Sequence, residues 1–216
     1  MVKTIVTSDM AKHIAEHYGV ETNDVLTGFK FIDEQIGLLE QNGRVDDYVF
    51  GFEESYGFLT GSYVRDKDAV NGAFMICEML AWYKTHGVNL LERLEKLYQT
   101  YGYCMNTLYL YTFEGSSGFE KMQEIMKTLR QGVNSIGGKP VEVCLDYATG
   151  LDNLPKSNVL KYLLAGKASV VVRPSGTEPK LKIYISVISK NREEAQAAEA
   201  LIYSDLTDRM NAFRHK

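Results

Sequence analysis

Residues 170–185 read VVVRPSGTEPKLKIYI, two apolar β-rich runs around a short polar piece. Arg173 offers a planar fork of donors that fits phosphate oxygens two at a time. Ser175 and Thr177 add hydroxyl donors, and Gly176 lets the backbone come close and present N–H groups to an anion. Pro174 and Pro179 stiffen the piece, while Lys180 and Lys182 bring further positive charge. The same residue types also make an ordinary turn between strands, so composition alone supports both a phosphate loop and a plain turn.

A second stretch, GFEESYGFLTGSYVRDKD at residues 51–68, places two carboxylates, Glu53 and Glu54, at the end of a strand-like run. Strand ends in an α/β sheet are where ligands bind. Extended backbone would put Glu53 and Ser55 on one side, suited to neighbouring sugar hydroxyls; a solvated acidic loop is the plainer alternative. A third stretch, LTGFKF at 26–31, has Gly28 ahead of a helix, where backbone can approach a ligand, or Thr27 as the helix N-cap. His13 and His17 share a helix face without a third metal ligand. Cys77, Cys104 and Cys144 fit neither a zinc spacing nor a disulfide framework and read as three reduced core thiols.

These stretches need elements to hold them. Strand VKTIVT, helix DMAKHIAEHYG, a short strand DVL, helix KFIDEQIGLLEQNG and strand YVFGF alternate in the α/β manner. The polar loop of residues 53–68 follows, then a long apolar helix ending at Gly87. NLLERLEKLYQTYG reads as a bridging helix with Asn89 and Glu92 as a capping box and Leu90, Leu94, Leu97 and Tyr101 as its buried stripe. The pattern then changes to strands with two helices. One helix has a capping box at Ser117 and Glu120 and a face of Phe119, Met122, Met126 and Leu129. In PVEVCLDYA, Val141, Val143, Leu145 and Tyr147 alternate at period two. Gly166-Lys167 suits a type II′ hairpin turn. The last helix, from about Asn191, turns Ala195, Ala198, Ile202, Leu206, Met210 and Phe213 inward.

Length and composition fit this plan: 216 residues, 45% hydrophobic, suffice for two modest domains. A net charge of −4 argues against nucleic acid or a membrane as the main partner. No apolar run reaches the roughly 20 residues of a membrane span. No leader precedes the first strand, which implies a cytoplasmic chain, cut from something longer.

TGFKF, GFEESYGFLTGSYVRDKD and RPSGTEPK, in this order, resemble the α-D-phosphohexomutase family, most of all its phosphoglucomutase-type members. The resemblance covers essentially the whole chain. It implies a truncated third α/β domain at residues 1–101, a mixed sheet flanked by helices that carries the sugar loop and the bridging helix. A small α+β C-terminal domain with the phosphate loop would follow at 102–216. By resemblance, Glu53 and Ser55 bond two adjacent ring hydroxyls, and Thr27 and Gly28 belong to a loop touching substrate. Arg173, Ser175, Gly176 and Thr177, with Lys182 nearby, hold the phosphate that is not transferred. Lys67 lies near the reacting oxygen, with Arg65 beside it.

The implied reaction interconverts glucose 1-phosphate and glucose 6-phosphate through a phosphoserine, Mg²⁺ and a glucose 1,6-bisphosphate intermediate. The sugar must then bind in two opposite orientations, which a Glu–Ser grip on two exchangeable hydroxyls allows. The family's phosphoserine loop and aspartate-rich metal loop have no counterpart here. The expectation is therefore a fragment inactive alone, partnered by the N-terminal domains of its own polypeptide. Phosphomannomutase or phosphopentomutase action, or a non-catalytic phosphosugar-binding module, are the alternatives.

Overall fold

The computed structural model describes residues 1–113, 117–151, 153–176 and 178–214. The chain divides into two compact units, Met1–Tyr101 and Gly102–Lys216.

The first unit runs β1 (Val2–Thr4), α1 (Met10–His17), β2 (Asn23–Val25), α2 (Phe29–Gln41), β3 (Gly51–Glu53), β4 (Gly57–Leu59), α3 (Ala69–Thr85) and α4 (Leu90–Tyr101). Its sheet has the order β2-β1-β3-β4; β1 is parallel to β2 and β3, and β4 is antiparallel to β3, so the sheet is mixed. Phe29, Ile32 and Ile36, spaced for one helix face, are all buried where α2 meets β1 and β3. Gly43 in the left-handed region (φ 66) ends α2, and Arg44 N–H returns to the Leu39 carbonyl. Asp68 starts α3 by accepting from Val70 and Asn71 N–H.

Several expectations for this unit are corrected. Strand β4 lies inside the stretch read as loop, because Gly57, Phe58 and Leu59 pair back on β3. No residue of α4 is buried, and Leu94 is 40% exposed, so its stripe is covered only in part. The long apolar helix α3 likewise buries nothing, and Val70, Phe74, Met75, Ile76, Met79, Leu80 and Trp82 all face water. Beside it an apolar groove of about 670 Å³ runs between α1 and the sheet, walled by Ile14, Tyr18, Phe50, Phe52 and Phe58. Cys77 and Cys144 are exposed and only Cys104 is buried, so the set of core thiols shrinks to one.

The second unit runs β5 (Tyr103–Thr112), α5 (Gly118–Arg130), β6 (Ser135–Ile136), β7 (Lys139–Asp146), β8 (Leu160–Leu164), β9 (Ala168–Pro174), β10 (Lys180–Ser189) and α6 (Arg192–Arg214). Six antiparallel strands in the order β5-β10-β9-β8-β7-β6 form one sheet. Met122, Ile125, Met126 and Leu129 of α5 and Ile202, Leu206 and Met210 of α6 close its core over Val170, Val172, Leu181 and Ile183. Ala198 and Phe213 pack at the margin. Phe119, expected inward, is 43% exposed, and Ser117 makes no side-chain cap. A bulge between Val141 and Val143 breaks the period-two alternation and leaves Val143 43% exposed. The β8–β9 turn pairs Leu164 with Ala168, leaving three loop residues. Gly166 (φ 79) and Lys167 (φ 56) are both left-handed, which a type II′ turn does not allow.

One polar cluster ties α6 to the sheet: Thr107 Oγ1 and Tyr109 hydroxyl donate to the buried Glu199 at 2.8 and 2.6 Å. Burial first, then the bond to Glu199, pushes the Tyr109 phenol up to about 12. Burial also raises Tyr162, whose hydroxyl donates to the Leu129 carbonyl. Unfolding lets these phenols ionise near their ordinary value of about 10. Their contribution is therefore complete below pH 10 and falls as pH rises toward the folded-state values. Urea midpoints should hold between pH 8 and 9.5, decline through pH 10–12, and decline less in Tyr109→Phe.

Candidate functional site

In the first unit the hairpin β3–β4 is closed by Glu54, Ser55 and Tyr56, with Glu53 paired to Gly57. Tyr56 lies in the left-handed region (φ 58), which completes a three-residue turn at a cost of about 1–2 kcal/mol for a non-glycine residue. This turn turns Glu53 inward, 7% exposed, while Ser55 stays exposed. A Cβ on Gly57 would lie 2.6 Å from Glu53 Cγ and 3.0 Å from Phe29 Cδ2. Glycine at 57 therefore makes the room that lets a carboxylate lie flat beside the first residue of α2.

Lys67 Nζ donates to Glu53 Oε1 at 3.0 Å and to the Ser55 carbonyl at 3.2 Å. Three of the expected residues, Glu53, Ser55 and Lys67, thus come together around one ammonium. The carboxylate of Glu53 is a buried acceptor, half-exposed Lys67 balances its charge, and the hydroxyl of exposed Ser55 donates to Glu54. Such a set can accept and donate to vicinal hydroxyls. Arg65 is drawn elsewhere: it pairs with Asp33 at 3.5 Å and with Glu40, both on α2.

Gly28, at φ 117, occupies the N-cap of α2, so Thr27 is not the cap, and no side chain caps this end. An added Cβ at Gly28 meets nothing within 4 Å, and its backbone conformation alone demands glycine. The open N-terminus of α2 leaves N–H groups free for an acceptor.

Sequence reasoning overlooked the support beneath the hairpin. Glu54 Oε2 accepts from Thr4 Oγ1 at 3.1 Å and its Oε1 from Ser55 Oγ at 3.4 Å. Thr4 shares a 2.6 Å hydroxyl contact with Thr7. Lys3, fully buried, reaches Asp9 at 2.9 Å, Asp24 at 2.8 Å and the Thr7 carbonyl at 3.1 Å. A lysine in a β-branched run followed by two threonines was the only signal for it.

In the second unit the sheet places Arg173 on β9 directly opposite Lys182 on β10. Like charges in that position repel. Among the described residues neither side chain has an anionic partner or a hydrogen bond. The turn beyond them is built from Ser175 N–H to the Lys180 carbonyl at 2.7 Å and Glu178 N–H to Ser175 Oγ at 3.3 Å. Lys180 is taken up by Glu178 at 3.1 Å. A Cβ on Gly176 would meet nothing within 4 Å, so the fold itself does not require glycine there. Thr177 lies outside the described residues. The arrangement offers two cations and, of the described turn residues, the Gly176 N–H to one anion, since the Ser175, Glu178 and Lys180 N–H groups are bonded within the turn.

Among the described residues no three His, Cys, Asp or Glu side chains stand close enough to hold a metal ion. Among them also, no helix is long and apolar enough to cross a membrane.

Residues 1–101 match the family model described as phosphoglucomutase/phosphomannomutase, alpha/beta/alpha domain III, and residues 119–202 match the C-terminal domain of the same family. Phosphoglucomutase of Staphylococcus aureus strain MSSA476 is 39% identical over 217 residues, covering 94% of this chain and 39% of the relative. The strain USA300 protein of the same name is 40% identical with the same coverage. The chain thus spans about two fifths of the length of the curated relatives it matches. Among solved structures, pp63/parafusin of Paramecium, a phosphoglucomutase in its open form, superposes with a TM-score of 0.70 at 22% identity, covering 100% of this chain and 38% of that one. A phosphoglucomutase/phosphomannomutase family protein of Burkholderia thailandensis gives a TM-score of 0.57 at 14% identity, covering 99% and 37%. Both likenesses concern the fold.

Two substitutions probe the hairpin. Gly57→Ala should cost about 1–3 kcal/mol in urea denaturation through overpacking against Glu53 and Phe29. Lys67→Met should leave the buried Glu53 carboxylate without its counter-charge and lower the urea midpoint below that of the parent chain.

Proposed function

This chain belongs to the phosphoglucomutase/phosphomannomutase family, and from that premise we propose that its 216 residues are the sugar-holding and distal-phosphate-holding part of a phosphoglucomutase. In this reading the intact enzyme interconverts glucose 1-phosphate and glucose 6-phosphate. Glu53 and Ser55 grip two adjacent ring hydroxyls. Lys67 pairs with Glu53 and stands ready to meet the charge that develops on a reacting oxygen. Thr27 and Gly28 offer the open end of α2 to the substrate, and Arg65 steadies the loop from the α2 side. Arg173, Lys182, Ser175, Gly176 and Thr177 form the cradle for the phosphate that does not react.

The observation that carries the reading is the opposed pair Arg173 and Lys182, two half-buried cations with no anion of their own among the described residues. A dianionic phosphate relieves their repulsion, and the Gly176 N–H of the adjacent turn can help orient it. Catalysis in such a site is positioning plus charge stabilisation. The phosphoserine nucleophile and the Mg²⁺ site belong, in this proposal, to the other domains of the polypeptide, as does the rest of the cleft. The chain alone is then a weak binder of phosphosugars that does not turn them over.

The test is calorimetry or NMR titration of the chain with glucose 1-phosphate. Binding should be weak, weaken further with salt, and fall about tenfold or more in Arg173→Ala, in keeping with loss of a charge-assisted bidentate contact. Lys182→Met should show a smaller loss with a shallower salt dependence. Equal binding by the parent chain and Arg173→Ala, or measurable mutase turnover by the chain alone, would refute the assignment.

A further inference from the structure

We propose that Tyr56 is a further substrate-contacting residue, whose ring covers a C–H face of the sugar that Glu53 and Ser55 hold; this rests on the phosphosugar reading above. Among the described residues three non-glycine positions have positive φ: Tyr56, Asn153 and Lys167. Asparagine tolerates this conformation, and Lys167 ends the tight β8–β9 turn. Tyr56 is the bulky aromatic of the three, and glycine would serve the turn better. Its side chain is 90% exposed, and among the described residues it has no ring contact, hydrogen bond or ion pair. A large ring left in water on a strained backbone adds nothing to folding. Strain of this kind at the tip of a ligand loop marks function.

The chemistry supplies the partner. The hydroxyls of a pyranose lie round its rim, and its two faces are largely C–H. Glu53 and Ser55, three residues and one residue before Tyr56, address the rim. A face then needs an apolar wall, and an aromatic ring is the usual one in sugar and cofactor pockets. A ring contact also suits a substrate that must bind in two opposite orientations. Hydrogen bonds have to be exchanged between hydroxyls when the sugar turns over, whereas either face can lie on the same ring.

The experiment is an NMR titration of the 216-residue chain with glucose 1-phosphate, reading the sugar protons as well as the dissociation constant. In the parent chain the sugar C–H protons should shift upfield through the ring current. Tyr56→Phe should keep that shift. Tyr56→Gly should abolish it and weaken binding about fivefold or more, while melting at the same or a higher temperature because glycine fits φ 58. Glu53→Gln separates the two readings. Weaker binding in Glu53→Gln with unchanged binding and shifts in Tyr56→Gly overturns the role of Tyr56 alone. No binding by the parent chain, or no effect of Glu53→Gln, overturns the phosphosugar reading of the hairpin and the role of Tyr56 with it.

Discussion

Lys3 has no exposed surface, yet it carries a charge at the centre of the first sheet. Its ammonium lies within 3.4 Å of the carboxylates of Asp9 and Asp24 and the carbonyls of Thr4 and Thr7. Burial alone would lower its pKa; the two carboxylates more than reverse this, and the net direction is up. The Asp24 oxygen lies 2.8 Å from the ammonium. Three pieces of chain converge on this one group: β1 itself, the turn after it, and β2 through Asp24, directly opposite in register. A buried ion pair of this kind gains little over a well-packed apolar core, but losing one partner is costly, about 3–5 kcal/mol. Its value lies in register. A one-residue slip of β1 against β2 would separate Lys3 from Asp24 and leave Asp24 without its counter-charge.

That fixed register reaches the candidate site through Thr4. Its hydroxyl meets Glu54, Glu54 meets Ser55, and Glu53 on the other flank is held by Lys67. The two adjacent carboxylates therefore do different work. Glu54 anchors the hairpin to β1, and Glu53 faces into the space that Gly57 leaves open. Neither arrangement needs a long-range conformational change, and both are assembled from residues within one small unit.

Much of this was legible beforehand. The spacing of Ile32, Ile36 and Leu39 announced a helix face, of which Ile32 and Ile36 are buried and Leu39 only half-buried, and Ile202, Leu206 and Met210 announced the inward face of α6. The polar stretch EES marked the end of a strand, but residues 53–68 read as a loop, and the β3–β4 hairpin was hidden because the three residues of β4 carry too short a pattern. What local pattern could not carry was long-range pairing. The bulge at Val141–Val143 depends on how β7 meets β8, and the left-handed Lys167 depends on the pairing of Leu164 with Ala168. Lys3 looked like one charge in a strand, since its partners are Asp9 and Asp24. Likewise the opposition of Arg173 and Lys182 requires a register that only the folded hairpin supplies.

Helix α3 turns seven large apolar side chains to solvent. Each Å² of such surface covered by another apolar surface returns about 25 cal/mol. A contact that forms only with the folded chain draws the folding equilibrium toward the native side by mass action. Thermal midpoints measured on these residues are therefore properties of a sample, with its protein concentration and co-solutes, and carry meaning only when those are fixed.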